Sequence, residues 1–507
     1  MKRITVGIAW LLLLHHISSA MPPELLPRDR ILVLDFGSPY TPMIVQRVRE
    51  MGVYARLAPY AISMQEIAAF NPQGIILSGG PASVTQLGSP RIPHAIFESG
   101  IPLLGICYGM QAMAVQLGGS VREAEKGEYG PADLLIQHHS ILFSDIALPY
   151  ESGISFAVYM SHGDRVVQTP PGFIITASSC ACPIAAMEHA SKPWYGLQFH
   201  PEVPAHATFK SMIYRFVVDA CKCQSTWTSD FIKHRVISNL RALSTAHELV
   251  ILAYPHAYTY ILATLIAQEK IPARFIFIDT GLNYSHERDL LAYVLRTQCG
   301  IALETISIAC ALQKELKEAS ASKQKMEIID HILNRTLAQE RAHYHHALII
   351  DPGAIYSAAY EGLYDPWQDV FTYDLAQLGH ALHLSPFALH DKTLSYSRIA
   401  LRIIGRVTQK RIALLDNIQQ HIMLFLRNRG VIGALDECFA ILDPIGEDAY
   451  ALIIRNVRYR HARAASAQGF EAPLLHDLTS QILSEHPCIK RVLLDVTQVP
   501  PALVEWQ

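Results

Sequence analysis

The chain has 507 residues, half of them hydrophobic, and 42 basic against 45 acidic side chains leave a formal net charge of −3. Such a length exceeds one ordinary core and implies roughly two to four domains. The near-neutral balance offers no field for nucleic acid and no basic membrane face, so neither partner is expected and an anionic substrate must be held locally.

The nine cysteines are spread along the whole chain, which points to a reducing compartment. Residues 1–30 run against that expectation. Lys2 and Arg3 precede the apolar run Val6 to Leu14, and Ile17-Ser18-Ser19-Ala20 ends in small residues, the layout of a secretory signal. The alternative is a start placed too early, with Met21 opening a short polar lead into the first strand. The apolar run is too short to span a bilayer comfortably.

Ile31 to Gly37 is an apolar strand closing on a turn, followed by a helix of about twelve residues with apolar spacing at Met43, Ile44, Val48 and Met51. The strand Gly74 to Leu77 leads into Ser78-Gly79-Gly80-Pro81. Strand–helix–strand alternation is expected to repeat to about Pro204, which implies a doubly wound, mainly parallel α/β sheet covered on both faces.

Within that region Ile101-Pro102-Leu103-Leu104 feeds Gly105-Ile106-Cys107-Tyr108-Gly109-Met110-Gln111 and then the helical run Ala112 to Leu117. This is a strand, a sharp turn with a cysteine at its tip, and a helix. Glycines two before and two after Cys107 are what a strained elbow needs, because a Cβ there would collide with the neighbouring strand or helix. The helix N-terminus favours the thiolate, the form that attacks carbonyls. From this stretch alone, a buried packing cysteine is an equal alternative.

The candidate partners stand in Trp194-Tyr195-Gly196-Leu197-Gln198-Phe199-His200-Pro201-Glu202-Val203, an apolar strand ending in a histidine with a carboxylate two residues on. Strand alternation can hold His200 and Glu202 in one chain of hydrogen bonds. His200 would take the thiol proton and return it to a leaving group, while Glu202 fixes the tautomer and supports the positive charge.

With Ser161-His162-Gly163-Asp164 added, the sequence resembles the class I, or triad, glutamine amidotransferases, which hydrolyse glutamine through a thioester and release ammonia. The resemblance implies Cys107, His200 and Glu202 as the catalytic set. It further implies oxyanion donors near Gly80 and Tyr108, and a glutamine pocket shaped by Gln111, Ser161, His162 and Asp164. A thiolate enzyme fed by glutamine belongs in the cytosol, which favours the misplaced start and a cytoplasmic location.

From Ala205 a helix over Thr208 to Ala220 leads to Cys221-Lys222-Cys223. This C-x-C pair and Cys180/Cys182 lack a second pair at zinc spacing and are taken as packing residues. A second α/β unit begins at Leu249-Val250-Ile251-Leu252, with a helix over Ile261 to Gln268 and the strand Phe275 to Asp279. Asp279-Thr280-Gly281-Leu282-Asn283, with Arg491 to Thr497 and Pro500 to Trp506 near the end, extends the resemblance to the glutamine-hydrolysing GMP synthase family. The implied organisation is an amidotransferase domain at 31–222, an ATP pyrophosphatase-like domain at 223–395 and an α+β dimerisation-like domain at 396–507, hence a homodimer.

The second half departs from that family's pattern. Its S-G-G-V-D-S-S loop, whose N–H groups grip pyrophosphate and whose aspartate serves magnesium, is replaced by Ala253-Tyr254-Pro255-His256-Ala257-Tyr258-Thr259-Tyr260. No glycine or carboxylate remains there, and Pro255 removes a donor. Only Thr259 and His256, with Asp279 on the next strand, offer polar contacts to ATP. The family's S-H-H-N-V-G-G segment has no counterpart between Tyr356 and Trp367, and its H-P-F-P-G-P-G run is replaced by Leu394 to Ala400. A glycine-rich turn has collapsed to Pro444-Ile445-Gly446-Glu447-Asp448, Val499 replaces a nucleotide-contacting lysine, and Leu401 to Val407 survives as scaffold.

His343, His345 and His346 lack an acidic or cysteine partner at ligand spacing, so no metal site is expected. Three hypotheses follow. The leading one is a glutaminase whose synthetase half is impaired in ATP and XMP use. The second is a working GMP synthase, requiring ATP and Mg2+ as well as XMP. The third is a non-catalytic binding or assembly protein.

Overall fold

The structure, a computed structural model, describes residues 26–144, 156–203, 209–284, 287–343, 347–352, 363–367, 369–385, 398–431, 437–461, 464–467 and 470–497. The expectations attached to residues 1–25, the His343 side chain, His345, His346, Tyr356, 394–397, Val499 and Pro500 to Trp506 lie outside the described residues. No helix among the described residues is long and apolar enough to cross a membrane.

The chain forms two compact units, Ala20–Phe231 and Ile232–Gln507. In the first, the strands are β1 (Arg30–Asp35), β2 (Tyr54–Pro59), β3 (Gly74–Leu77), β4 (Leu103–Ile106), β5 (Ser120–Ile136), β6 (Phe156–Gln168), β7 (Phe173–Ser179), β8 (Ala186–His189) and β9 (Trp194–Leu197). They build one nine-stranded sheet in the order β2-β1-β3-β4-β9-β8-β7-β5-β6. The first five in that order are parallel. β3 and β4 are buried along their whole length, as unbroken apolar runs in the middle of a covered sheet should be.

Helices α1 (Thr41–Glu50), α2 (Met64–Phe70) and α3 (Tyr108–Gln116) supply the crossovers and cover. In α1 the buried apolar positions are Ile44, Val45 and Val48, whereas Met43 and Met51 are half-buried. α2 starts on a reciprocal cap: Ser63 Oγ accepts from Glu66 N–H, and the Glu66 carboxylate accepts from Ser63 N–H.

The expected strand–helix alternation stops after α3. From Ser120 the chain runs through β5, β6, β7 and β8 as antiparallel strands, and only β9 returns to parallel pairing against β4. The reason lies in the side chains of β6: Val158, Met160 and His162 alternate with less buried neighbours, so one face suffices and no covering helix is needed.

The first compact unit runs on to Phe231. Trp227 donates its backbone N–H to Gly52 O at 2.7 Å, packs at a tilt with its ring centroid 4.7 Å from that of Tyr54 and lies under the Arg49 guanidinium. Before it, Phe209–Tyr214 and the π-turn Arg215–Ala220 replace the single helix expected over Thr208 to Ala220. Cys221 is a packing residue: a Cβ on Gly74 would collide with its sulfur. Cys182 and Cys223 are also buried, whereas Cys180 is exposed and packs against no core.

In the second unit β10 (Glu248–Leu252), β11 (Ala273–Asp279), β12 (Leu303–Ser307) and β13 (Ala347–Ile350) form a parallel sheet in the order β12-β11-β10-β13. A second sheet joins β14 (Glu437–Gly446), β15 (Ala449–His461), β16 (Ala464–Ala467) and β17 (Ile489–Asp495), with β17 parallel to β15. One hydrophobic cluster runs from Val250, Ile276 and Ile349 through Ile399, Ile403 and Leu415 to Leu442 and Leu452. The regions expected as 223–395 and 396–507 therefore share a core. Pro444 to Asp448 closes the β14–β15 hairpin, with Asp448 at φ 51°.

Candidate active site

Cys107 sits where β4 turns into α3. Its backbone is at φ 50°, ψ −107°, a conformation L-residues avoid, and its N–H donates to Leu197 O at 2.7 Å. Close approach on both sides explains the two glycines. A Cβ on Gly105 would come within 2.7 Å of Met110 N, and one on Gly109 within 2.4 Å of Leu77 O. The turn is thus clamped between β3 and the first turn of α3. Tyr108 is the first residue of that helix, so its N–H has no carbonyl one turn back to receive it.

His200 and Glu202 lie in the turn beyond β9, not on the strand itself, which ends at Leu197. Backbone bonds fix this turn: His200 N–H donates to Tyr159 O at 2.9 Å, and Arg47 Nε donates to Glu202 O at 3.3 Å. Both side chains are buried, with His200 Nδ1 2.8 Å from Glu202 Oε1. Glu202 Oε2 has no hydrogen-bond partner among the described residues. Burial pulls His200 down, but the Glu202 charge and the Cys107 sulfur outweigh it and hold the imidazole well above its ordinary value. The Tyr40 ring meets the imidazole edge-on, with centroids 5.2 Å apart.

The Cys107 sulfur has two further neighbours. It lies 3.6 Å from Ser161 O, to which the thiol can donate, and 3.7 Å from Gln198 Nε2. Gln198 Oε1 in turn accepts from Gln111 Nε2 at 3.2 Å, and the same Gln111 nitrogen donates to Asp164 O at 2.7 Å. His162 lies between Asp164 O, 3.0 Å from Nδ1, and the Glu128 carboxylate, 3.3 Å from Nε2. Burial lowers its pKa despite Glu128. The Asp164 carboxylate accepts from Ser83 Oγ.

The structure therefore brings Cys107, His200 and Glu202 together and ties Gln111, Ser161, His162 and Asp164 into a network beside them. Gly80 is placed by Phe36, whose carbonyl a Cβ would meet at 2.7 Å. Its neighbour Gly79 faces the imidazole and Cys107. Gly79, Gln198, Tyr40 and Glu128 are the neighbours that sequence reasoning missed. Gln198 was visible beside His200, but nothing local marks Glu128.

In the second unit Ala253 to Tyr260 is closed on itself. The helix begins at Ala257, four residues earlier than expected, and runs to Gln268 with His256 as its N-cap. His256 Nδ1 accepts from Tyr258 N–H at 3.3 Å, and His256 O receives the N–H groups of Thr259 and Tyr260. Tyr254 N–H donates to Thr259 Oγ1 at 3.4 Å, and His256 N–H to Tyr254 O at 2.7 Å. Thr259 is completely buried. The Tyr254 hydroxyl lies 3.2 Å from the buried Asp351 carboxylate, and the His256 and Tyr258 rings stack 4.5 Å apart. Asp279 Oδ1 accepts from Gly281 N–H and Oδ2 from Ser307 Oγ.

A mixed α/β sheet with a glycine-flanked cysteine elbow at the end of β4, among its parallel strands, defines a class I glutamine amidotransferase domain. The family "Glutamine amidotransferase class-I" matches residues 32–220, and "GMP synthase C terminal domain" matches residues 426–506. Glutamine-hydrolyzing GMP synthase of Xylella fastidiosa (strain 9a5c) is 32% identical over 94% of this chain and 99% of its own length. The enzyme of the same name from Hamiltonella defensa is 31% identical over 95% of this chain and 99% of its own, and that of Hahella chejuensis 32% over 94% and 98%. This chain belongs to the glutamine-hydrolysing GMP synthase family.

Proposed function

We propose that the first unit hydrolyses glutamine to glutamate and ammonia with Cys107 as nucleophile, His200 as general base and then acid, and Glu202 as the carboxylate that orients it. The observation that carries this is the buried 2.8 Å His200–Glu202 contact beside a sulfur at a strained strand-to-helix turn. Cys107 Sγ attacks the side-chain amide carbon of glutamine. N–H groups near Gly80 and Tyr108 stabilise the oxyanion. Collapse breaks the carbon–nitrogen bond as the imidazolium gives its proton to departing ammonia, leaving a thioester. Water, deprotonated by His200, then releases glutamate and the thiol. Gln111, Ser161, His162 and Asp164 shape the pocket through the network around the sulfur. The test is glutaminase activity of the full chain: sensitivity to iodoacetamide, with loss in Cys107→Ala, supports it, and activity in that variant refutes it.

We further propose that the synthetase half is impaired in ATP and XMP use. The residues at the pyrophosphate loop do not fit the group, since the N–H groups of Tyr254, His256, Tyr258, Thr259 and Tyr260 are taken by acceptors within the turn and Pro255 brings none. No carboxylate for magnesium lies between Ala253 and Tyr260. By family membership the C-terminal domain would pair chains into a homodimer. A second reading, a working GMP synthase, is favoured by relatives of that name aligning over nearly the whole chain. GMP formation from XMP, ATP, Mg2+ and free ammonia separates the two.

A further inference from the structure

We propose that His421, Glu485 and His486 form a binding site for a zinc-like divalent transition-metal ion. His421 stands on the helix Gln409–Asn428, while Glu485 and His486 close the helix Ala472–Glu485, and these two helices pack together. One potential ligand atom from each residue lies within 4.8 Å of the other two. His421 Nδ1 is 3.2 Å from Glu485 Oε2, yet it is buried and not aligned for a hydrogen bond.

The second observation is His486. It is 8% exposed, and its Nε2 is buried with no hydrogen-bond partner among the described residues. The residue is held in place, because its N–H donates to Ile482 O at 2.9 Å and its carbonyl accepts from Ile489 N–H at 2.8 Å on entry to β17. Native structures rarely leave a buried imidazole nitrogen such as His486 Nε2 without a hydrogen-bond partner, and His421 Nδ1 beside it has, among the described residues, only the Glu485 carboxylate as a neighbour. A cation coordinated by both would satisfy them.

The surroundings fit metal ligation. His421 Nε2 lies 3.4 Å from Gln481 Oε1, so a proton on Nε2 leaves the Nδ1 lone pair for the ion, as outer partners of metal-bound histidines do. Bonds of about 2.0–2.2 Å in a tetrahedral site put ligand atoms about 3.4 Å apart. The Glu485 side chain is 62% exposed, so it can rotate inward and leave a solvent-facing position for water and for metal entry. Two imidazoles and one carboxylate suit zinc, cobalt or nickel rather than magnesium, which separates this site from nucleotide chemistry. Bound there, the ion would pin the helix Gln409–Asn428 to the start of β17.

The test is a titration of the full-length chain, stripped of metal by a chelator, with Co2+ and then Zn2+. Expected are saturable visible bands of four-coordinate Co2+, displaced by Zn2+, and a Tm raised by Zn2+. His421→Gln and His486→Gln should lose the bands. Glu485→Gln, on an exposed side chain that folding does not require, should weaken Zn2+ binding at least about tenfold. That variant keeps the test decisive if a histidine variant fails to fold. Unchanged bands in all variants, or no saturable binding by the wild type, would overturn the proposal.

Discussion

Gly79 lies directly against His200: a Cβ on Gly79 would come within 2.9 Å of His200 Cε1 and 3.6 Å of Cys107 Cβ. The imidazole cannot retreat freely, because Glu202 holds Nδ1 and the Tyr40 ring stands at its edge. Gly79→Ala should therefore displace the ring by a few tenths of an ångström. A misplacement of about 1 Å costs about a hundredfold in rate, so a loss of about tenfold in kcat is expected, with KM for glutamine little changed. Steady-state glutaminase kinetics, with circular dichroism to verify folding, provide the check; wild-type kcat would show that Gly79 does not limit the geometry of His200.

Cys107→Ala should abolish glutaminase activity and leave the fold intact, since the side chain lies at a turn rather than inside the sheet. A finer expectation comes from the backbone. At φ 50°, ψ −107° any L-residue is strained by about 1–3 kcal/mol, and glycine is not. Cys107→Gly should thus be equally inactive but more stable than Cys107→Ala. Urea midpoints of the two variants decide it, and a less stable glycine variant would mean that the elbow stores no strain.

Much of this site was legible because its demands are local. Gly105 and Gly109 flank the cysteine for steric reasons that hold in any such turn, and the unbroken apolar runs of β3 and β4 announce central strands. The antiparallel strands β5 to β8 were not legible, since their alternation is weak and their pairing depends on distant partners. Which of two consecutive glycines faces His200 depends on the path of the loop: Gly79 makes that contact, while Gly80 lies against Phe36. Gln198 and Glu128 act through partners far away in the chain. The His421, Glu485 and His486 cluster carries no ligand spacing at all, because two helices bring it together.

The charge on His200 sets a pH dependence. Burial alone would lower its pKa, but Glu202 and Cys107 raise it well above 6.5. A group whose folded pKa is raised stabilises the fold fully below its unfolded value and loses that contribution as pH climbs through the folded value. Wild-type stability should thus decline as pH rises above about 6.5, and Glu202→Gln should show a flatter profile. Urea midpoints across that range test it. Parallel profiles in the two proteins would show that Glu202 does not hold the His200 proton.

The chain should make little or no GMP even when free ammonia replaces the first unit. Pyrophosphate carries several negative charges, and its water is costly to strip unless N–H donors, a cation or magnesium replace those hydrogen bonds. Here the N–H groups of Tyr254, His256, Tyr258, Thr259 and Tyr260 already have acceptors within the turn. Freeing them would uncap the helix at His256, and the phenol of Tyr254 is tied to Asp351. Each missing charge-assisted hydrogen bond costs about 1.5–3 kcal/mol, so three or four would weaken binding by several orders of magnitude. Incubation with XMP, ATP, Mg2+ and ammonia should accordingly yield no GMP above background, and calorimetry should detect no saturable Mg–ATP binding. Saturable, magnesium-dependent GMP formation would instead mean that other residues of the second unit have rebuilt the grip on ATP.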